Sequence, residues 1–257
     1  MKKPKWVVQK ERDRKASSAE TVWLFGLHAV RDAIANPARE KLRLVVTKNA
    51  ADKLSDVLGK LTFAPEVVET RQFDVPIDPG SVHQGAALEV RALEWEPLDV
   101  LCTRGDRVVL LDRVTDPHNV GAILRSAEVF GAVAVIAPRH YSAPETGALA
   151  KAASGALERQ PYLRVRNLSD AIQALQKMGY VVLGLAGEAE MALEDAIALN
   201  ADRPLAVVLG AEGPGLRAKT RDVVDHLVKI DPTGGFGSLN VSNAAAVALY
   251  AAKVGRN

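Results

Sequence analysis

Short apolar runs bounded by Gly, Pro and charged residues recur along the second half of this 257-residue chain. They fall at Arg107–Leu111, Ala132–Ala137, Tyr162–Val165, Val181–Ala186, Leu205–Leu209 and Leu227–Ile230. Nearly continuous runs of this length predict strands buried on both faces of a parallel sheet. Helical patterns lie between most of them, so the regular alternation predicts an α/β domain with a largely parallel sheet. The clearest helix places Val120, Ile123, Leu124, Ala127 and Phe130 on one stripe and stops at Gly131. Asp116-Pro117 predicts a turn before it, and Asn119 reads as its N-cap. The last helix, about Val241–Lys253, is rich in alanine, which suits close packing either on a partner subunit or within the fold.

The first half is looser. Residues 1 to about 20 carry no periodic pattern and read as a disordered tail. From 21 to 93 the chain predicts a small α/β unit, with helices over His28–Ala35 and Asp52–Leu61 and strands over Leu42–Thr47, Glu66–Thr70 and Ala86–Val90. Residues 94–104 read as a linker, Pro97 discouraging a helix through Glu94–Asp99, and 105–257 as the second domain.

Composition adds three constraints. Cys102 stands alone, which excludes an intramolecular disulfide and leads to the expectation of a cytoplasmic protein. No apolar run approaches the ~18 residues of a membrane span, so no membrane partner is expected. The net charge of +2 hides a basic tail, where Lys2, Lys3, Lys5, Lys10, Arg12, Arg14 and Lys15 face only Glu11 and Asp13. Alone, such a tail is most simply a solvated terminus; beside other signs of nucleic acid it becomes a phosphate-tracking arm.

Candidate chemistry collects in three segments. After Leu111 come Asp116-Pro-His-Asn119 and a helix bearing Arg125 and Glu128 off its apolar stripe. Those two form either a surface i,i+3 ion pair or a guanidinium free to hold phosphate or help move a proton. His118 is most simply a turn residue. After Leu209 comes Gly210-Ala-Glu-Gly-Pro-Gly215, in which Glu212 is either a site carboxylate or a helix-dipole partner if Pro214 begins a helix. After Ile230 come Gly234, Gly235 and Gly237, then Ser238, Leu239, Asn240, Ser242 and Asn243; N-capping explains one of the polar residues, not all.

In a parallel sheet, glycine-rich loops that follow strands sit where ligands bind. The G-x-x-G-x-G spacing is not the dinucleotide fingerprint, no Walker string occurs, and no G-x-S-x-G elbow supports a serine hydrolase. The five histidines are scattered and lack zinc spacing, so no metal is expected.

Together, Asp116–Ala127, Leu209–Leu216 and Gly237–Asn243 resemble, in order and spacing, the three motifs of the SpoU (TrmH-type) RNA ribose 2′-O-methyltransferases of the SPOUT superfamily. Phe25–Val30 and His83-Gln-Gly85 resemble the ribosomal-protein-like RNA-binding domain of bacterial enzymes that modify a guanosine of 23S ribosomal RNA. The resemblance implies a deep trefoil knot, S-adenosylmethionine as cofactor with S-adenosylhomocysteine as product, and a homodimer acting on RNA. It implies a cofactor pocket at Leu209, Gly210, Ile230, Ser238 and Leu239, and catalytic roles for Arg125, Asn119, Glu212, Ser238 and Asn240. The departure is Asp231-Pro232 after the last strand, where many relatives turn at once to an apolar residue or proline. A tRNA methyltransferase of the same fold and a non-catalytic ribosome assembly factor are the alternatives.

Overall fold

Apolar runs and helical stripes assemble into two units in the computed structural model, which describes residues 21–231, 233 and 239–255. The first unit takes the described residues up to Glu94 together with Glu145–Lys151; the second takes Trp95–Pro144 and the described residues from Ala152 onward.

The first unit contains β1 (Thr21–Phe25), α1 (Leu27–Ala35), β2 (Lys41–Thr47), α2 (Lys48–Lys53), α3 (Ser55–Leu58), β3 (Glu66–Val68) and β4 (Ala86–Arg91). Its sheet runs β1-β4-β2-β3, with β4 antiparallel to both neighbours and β3 parallel to β2. Leu24, Leu44, Val46 and Leu88 are sealed in its core with Val30 and Ile34 of α1. Burial of each such side chain is worth about 1.5–3 kcal/mol.

One element is added here and two expectations need correction. The segment Thr21–Phe25 is a strand. The helix expected over Asp52–Leu61 is two short helices, because the Thr47 hydroxyl accepts from Ala50 N and starts the first at Lys48. The strand from Glu66 ends at Val68, before a 3-10 turn over Thr70–Gln72. Residues 145–151 join this unit through the buried Arg39, whose guanidinium pairs with Glu145.

The second unit contains α4 (Leu98–Leu101), β5 (Arg107–Asp112), α5 (Pro117–Phe130), β6 (Ala134–Pro138), α6 (Gly147–Ala153, shared with the first unit), β7 (Tyr162–Val165), α7 (Leu168–Lys177) and β8 (Val181–Leu185). It continues through β9 (Met191–Ala192), α8 (Leu193–Leu199), β10 (Leu205–Gly210), α9 (Ala218–Arg221), β11 (His226–Lys229) and α10 (Val241–Val254). Within the stretch read as a linker, the short helix α4 starts at Leu98, directly after its N-cap Pro97.

The seven strands order as β7-β6-β5-β10-β8-β11-β9, and every pairing is parallel. Val108, Leu110, Ile136, Val182, Ala206 and Val208 form one face, covered by Leu168, Ile172 and Leu175 of α7. α5 and α10 pack against each other, and α10 also packs on β10. Because all strands run the same way, their carboxyl ends share one edge. The chain steps outward from β5 to β7, then returns on the other side of β10, so the crevice of this open sheet lies beside β10.

Candidate active site

The loops that leave β8, β10 and β11 enclose a cavity of about 780 Å³. Leu185, Leu209, Ile230, Leu239 and Val241 give it apolar walls, and Gly210, Gly213 and Gly215 contribute backbone. Gly210 is required by contact: a Cβ there would sit 2.2 Å from the Gly215 carbonyl carbon. The loop folds back on its own strand, Gly215 N donating to Ala211 O at 2.9 Å.

Pro214 lies in this turn and begins no helix; the nearby helix α9 starts at Ala218. The helix-dipole reading of Glu212 is therefore set aside. Asp112, fully buried at the end of β5, anchors the loop's exit. Its carboxylate accepts from Arg217 N at 2.9 Å and from Arg217 Nε at 2.6 Å.

Three motif residues meet at the cavity. Asn240 Nδ2 donates to Glu212 Oε1 at 2.7 Å and to Asn119 Oδ1 at 3.0 Å, and Asn119 Nδ2 donates to the same Glu212 oxygen at 3.2 Å. Asn240 is also the N-cap of α10, its Oδ1 accepting from Ser242 N at 2.8 Å. One side chain therefore both fixes the helix start and holds Glu212. Asn119 is not the cap of α5: Asp116 is, accepting from His118 N at 2.9 Å, with Pro117 in the first turn where its missing N–H is harmless. That frees the Asn119 amide for Glu212.

Of the residues implied for the cofactor, Leu209, Gly210, Ile230 and Leu239 line this one cavity; Ser238 lies outside the described residues. Arg125 does not line it. It is exposed on α5, and the i,i+3 pair with Glu128 does not form because Glu128 pairs with Arg159 instead. Among the described residues Arg125 has no hydrogen-bonded or ionic partner, so its charge is available to something outside the chain. No group of three or more His, Cys, Asp or Glu side chains among the described residues is arranged to hold a metal.

Sequence reasoning missed two residues on the neighbouring part of the edge. Arg113 follows β5 with φ +63°, and Tyr141 follows β6 with φ +59°. The Arg113 guanidinium lies 4.7 Å from the centre of the Tyr141 ring, and both side chains are exposed. A left-handed backbone costs a bulky residue about 1–3 kcal/mol, more than the ~0.5–1 kcal/mol of an exposed cation–π contact. Backbone conformation of this kind leaves no mark on local sequence.

The SpoU rRNA Methylase family matches residues 106–250, and a second family, RNA 2'-O ribose methyltransferase substrate binding, matches residues 23–96. The chain is 39% identical over 237 residues to the 23S rRNA (guanosine-2'-O-)-methyltransferase RlmB of Haemophilus influenzae, covering 88% of this chain and 95% of that one. To the protein of the same name from Photobacterium profundum it is 37% identical, covering 89% and 96%. Its fold is shared by the SpoU methyltransferase AviRb of Streptomyces viridochromogenes in complex with AdoMet (TM-score 0.74, 23% identity, 95% and 93% covered). An AdoMet-bound rRNA methyltransferase from Sinorhizobium meliloti shares it too (TM-score 0.73, 23% identity, 96% and 90% covered). The second motif and the described part of the third line the cavity, the first reaches it through the Asn119–Glu212 hydrogen bond, and the chain belongs to the SpoU rRNA methylase family.

Proposed function

We propose that this chain is an RNA methyltransferase that uses S-adenosylmethionine to methylate a ribose 2′-hydroxyl, with a guanosine of 23S ribosomal RNA as its target. The observation that carries this reading is the convergence of Asn119, Glu212 and Asn240, from three separate motifs, at one cavity. The names of its relatives in Haemophilus and Photobacterium support the substrate.

The cavity suits the cofactor. Its volume falls within the range of about 300–1,000 Å³ usual for small-molecule sites. Its apolar side chains match an adenine ring, and its glycines let the ligand approach the backbone closely. Glu212 lines the cavity as a carboxylate that would favour a cationic sulfonium, while Asp231 is paired with Lys229 at 3.0 Å. Leu209, Gly210, Ile230 and Leu239 hold the cofactor, and Ser238, outside the described residues, belongs with them. Bound there, S-adenosylmethionine supplies an electrophilic methyl group.

The remaining chemistry belongs to side chains. A ribose hydroxyl is a weak nucleophile and must lose its proton as it attacks. Arg125 assists, held close to an RNA phosphate, by lowering the cost of that loss or relaying the proton; general-base help is worth roughly 10²–10⁴-fold. Asn119, Asn240 and Ser238 orient the ribose and Glu212. Requiring a 2′-OH selects RNA over DNA.

Arg125 reaches the site of a second copy in a homodimer. On the face formed by α5 and α10, Val129 is 69% exposed and Tyr250 57%, with Val247 and Val254 beside them. Arg125 lies one turn from Val129. An apolar group of this kind beside an unpaired cation fits a partner better than water. The final segment threads the fold as a trefoil knot, residues 21–93 dock the RNA, and the basic tail, which lies outside the described residues, adds phosphate contacts. The protein works in the cytoplasm.

The reading is tested by mapping 2′-O-methyl groups on ribosomal RNA from cells with and without this protein. Loss of one methylated guanosine is expected. An unchanged map in cells that lack the protein contradicts the assignment.

A further inference from the structure

The carboxyl edge of β5, β6 and β7 carries features that methyl transfer at the cavity does not use. Arg113 follows β5, Arg139, His140 and Tyr141 follow β6, and Arg166 follows β7; all are exposed. The acids around them are committed elsewhere, Asp112 to Arg217 and Asp116 to the start of α5. This edge is cationic, with one large aromatic ring, 68% exposed, at its centre.

The ring is held in place. Arg164 donates to the carbonyls of Arg139 at 2.7 Å and Ala143 at 3.0 Å, and the Tyr162 hydroxyl donates to Ala143 O at 2.8 Å. Ala143 N reaches Val114 O at 3.3 Å, which ties the loop bearing Tyr141 to the loop bearing Arg113. Two of the few non-glycine residues with positive φ among those described are therefore the two partners of a single cation–π pair. Exposed cation–π attraction is too weak to maintain two left-handed backbones, so the conformation is imposed by the braced loops. Rigid aromatic and guanidinium planes on a basic track are what unpaired nucleobases stack upon.

We propose that Tyr141 and Arg113 form a stacking platform for an unpaired base of the RNA, next to the target nucleotide, while Arg139 and Arg166 hold its phosphates. The inference rests on the RNA methyltransferase reading above. Strands of a sheet lie about 4.8 Å apart, so the end of β6, two strands from β10, is about 10 Å from the cavity edge. That is within reach of a neighbouring nucleotide. A base held there keeps the strand unstacked and presents the adjoining ribose to Glu212 and Asn240.

The test uses the full-length protein and an unmodified 23S ribosomal RNA transcript, with dissociation constants measured by filter binding at several salt concentrations. Tyr141→Ala is expected to weaken RNA binding about 5- to 150-fold, the loss typical of one stacked base, with S-adenosylmethionine affinity unchanged. Tyr141→Phe keeps the face of the ring and should bind as the wild type does. Arg166→Ala should flatten the salt dependence, which Tyr141→Ala should leave intact.

Tyr141→Gly separates stacking from architecture, since glycine accepts the φ of +59° without strain. It should melt no lower than the wild type yet bind RNA as poorly as Tyr141→Ala. Wild-type RNA affinity in Tyr141→Ala, or a Tyr141→Gly protein that melts lower, overturns the platform. If the wild type methylates the transcript while Tyr141→Ala binds equally well, only this inference fails. If the wild type neither binds nor methylates it, the functional reading fails with it.

Discussion

One edge of the seven-stranded sheet carries two differently built regions. At β8, β10 and β11 the surface is glycine and apolar walls around a concave cavity, with Gly210 against the Gly215 backbone. At β5, β6 and β7 it is open and dominated by arginine, with Tyr141 standing clear of the fold. Enclosure by backbone suits a small, bounded ligand whose shape must be matched. Open cationic side chains suit a long polyanion whose register is set by many weak contacts. The same strand geometry serves both, and the loops make the difference.

Variants that strike one region alone should separate the two. The largest effect is expected from Arg125→Ala, which should lower kcat roughly 10²–10⁴-fold with cofactor affinity unchanged; near-full turnover rules out its part in proton transfer. Gly210→Ala should next remove cofactor binding in a calorimetric titration and cost about 1–3 kcal/mol of stability, because the new Cβ has no space. RNA affinity should survive it. Mixed subunits extend the contrast: Arg125→Ala and Gly210→Ala proteins, each inactive, should regain turnover when combined if Arg125 serves its partner's cavity. Failure of all mixtures to recover activity places Arg125 and the cavity of one subunit together.

Arg217→Ala should weaken cofactor binding less than Gly210→Ala does, at a similar stability cost of about 1–3 kcal/mol, by leaving the buried Asp112 carboxylate with a single partner. Denaturant melts measure that loss, and cofactor affinity should fall with it because the loop bearing Glu212 is loosened. The mildest response is expected at Cys102, near the opposite end of β5. Burial, aided by the charge of Asp99, pushes its thiol up to about 11. Its neutral form is favoured in the fold, so this contribution to stability is complete below pH 9.0 and is lost as pH rises toward about 11. Maleimide labelling at pH 8 should be slow in the native protein and leave both regions working.

The sheet and the cavity were largely legible because their signals are local. Nearly continuous apolar runs marked β5 through β8, β10 and β11, and glycine spacing marked the loop after β10 that lines the cavity. Resemblance supplied Asn119, Glu212 and Asn240, and the hydrogen bonds among them are a tertiary fact. Local reasoning failed in two ways. Asn119 looked like a cap although Asp116, three residues earlier, takes the position, and elsewhere a distant group decides. Residues 145–151 join the first unit through Arg39, far away in sequence. The left-handed Tyr141 depends on Arg164 and Tyr162, which no pattern within its own loop encodes.

The most direct test is methyl transfer by the purified protein. Incubated with methyl-labelled S-adenosylmethionine and unmodified 23S ribosomal RNA transcript, it should place one methyl group on the 2′-oxygen of a guanosine, and a 2′-deoxy nucleotide at that position should abolish labelling. Binding of the cofactor with no label entering the RNA, or label on a base that persists without the 2′-hydroxyl, contradicts the proposed function.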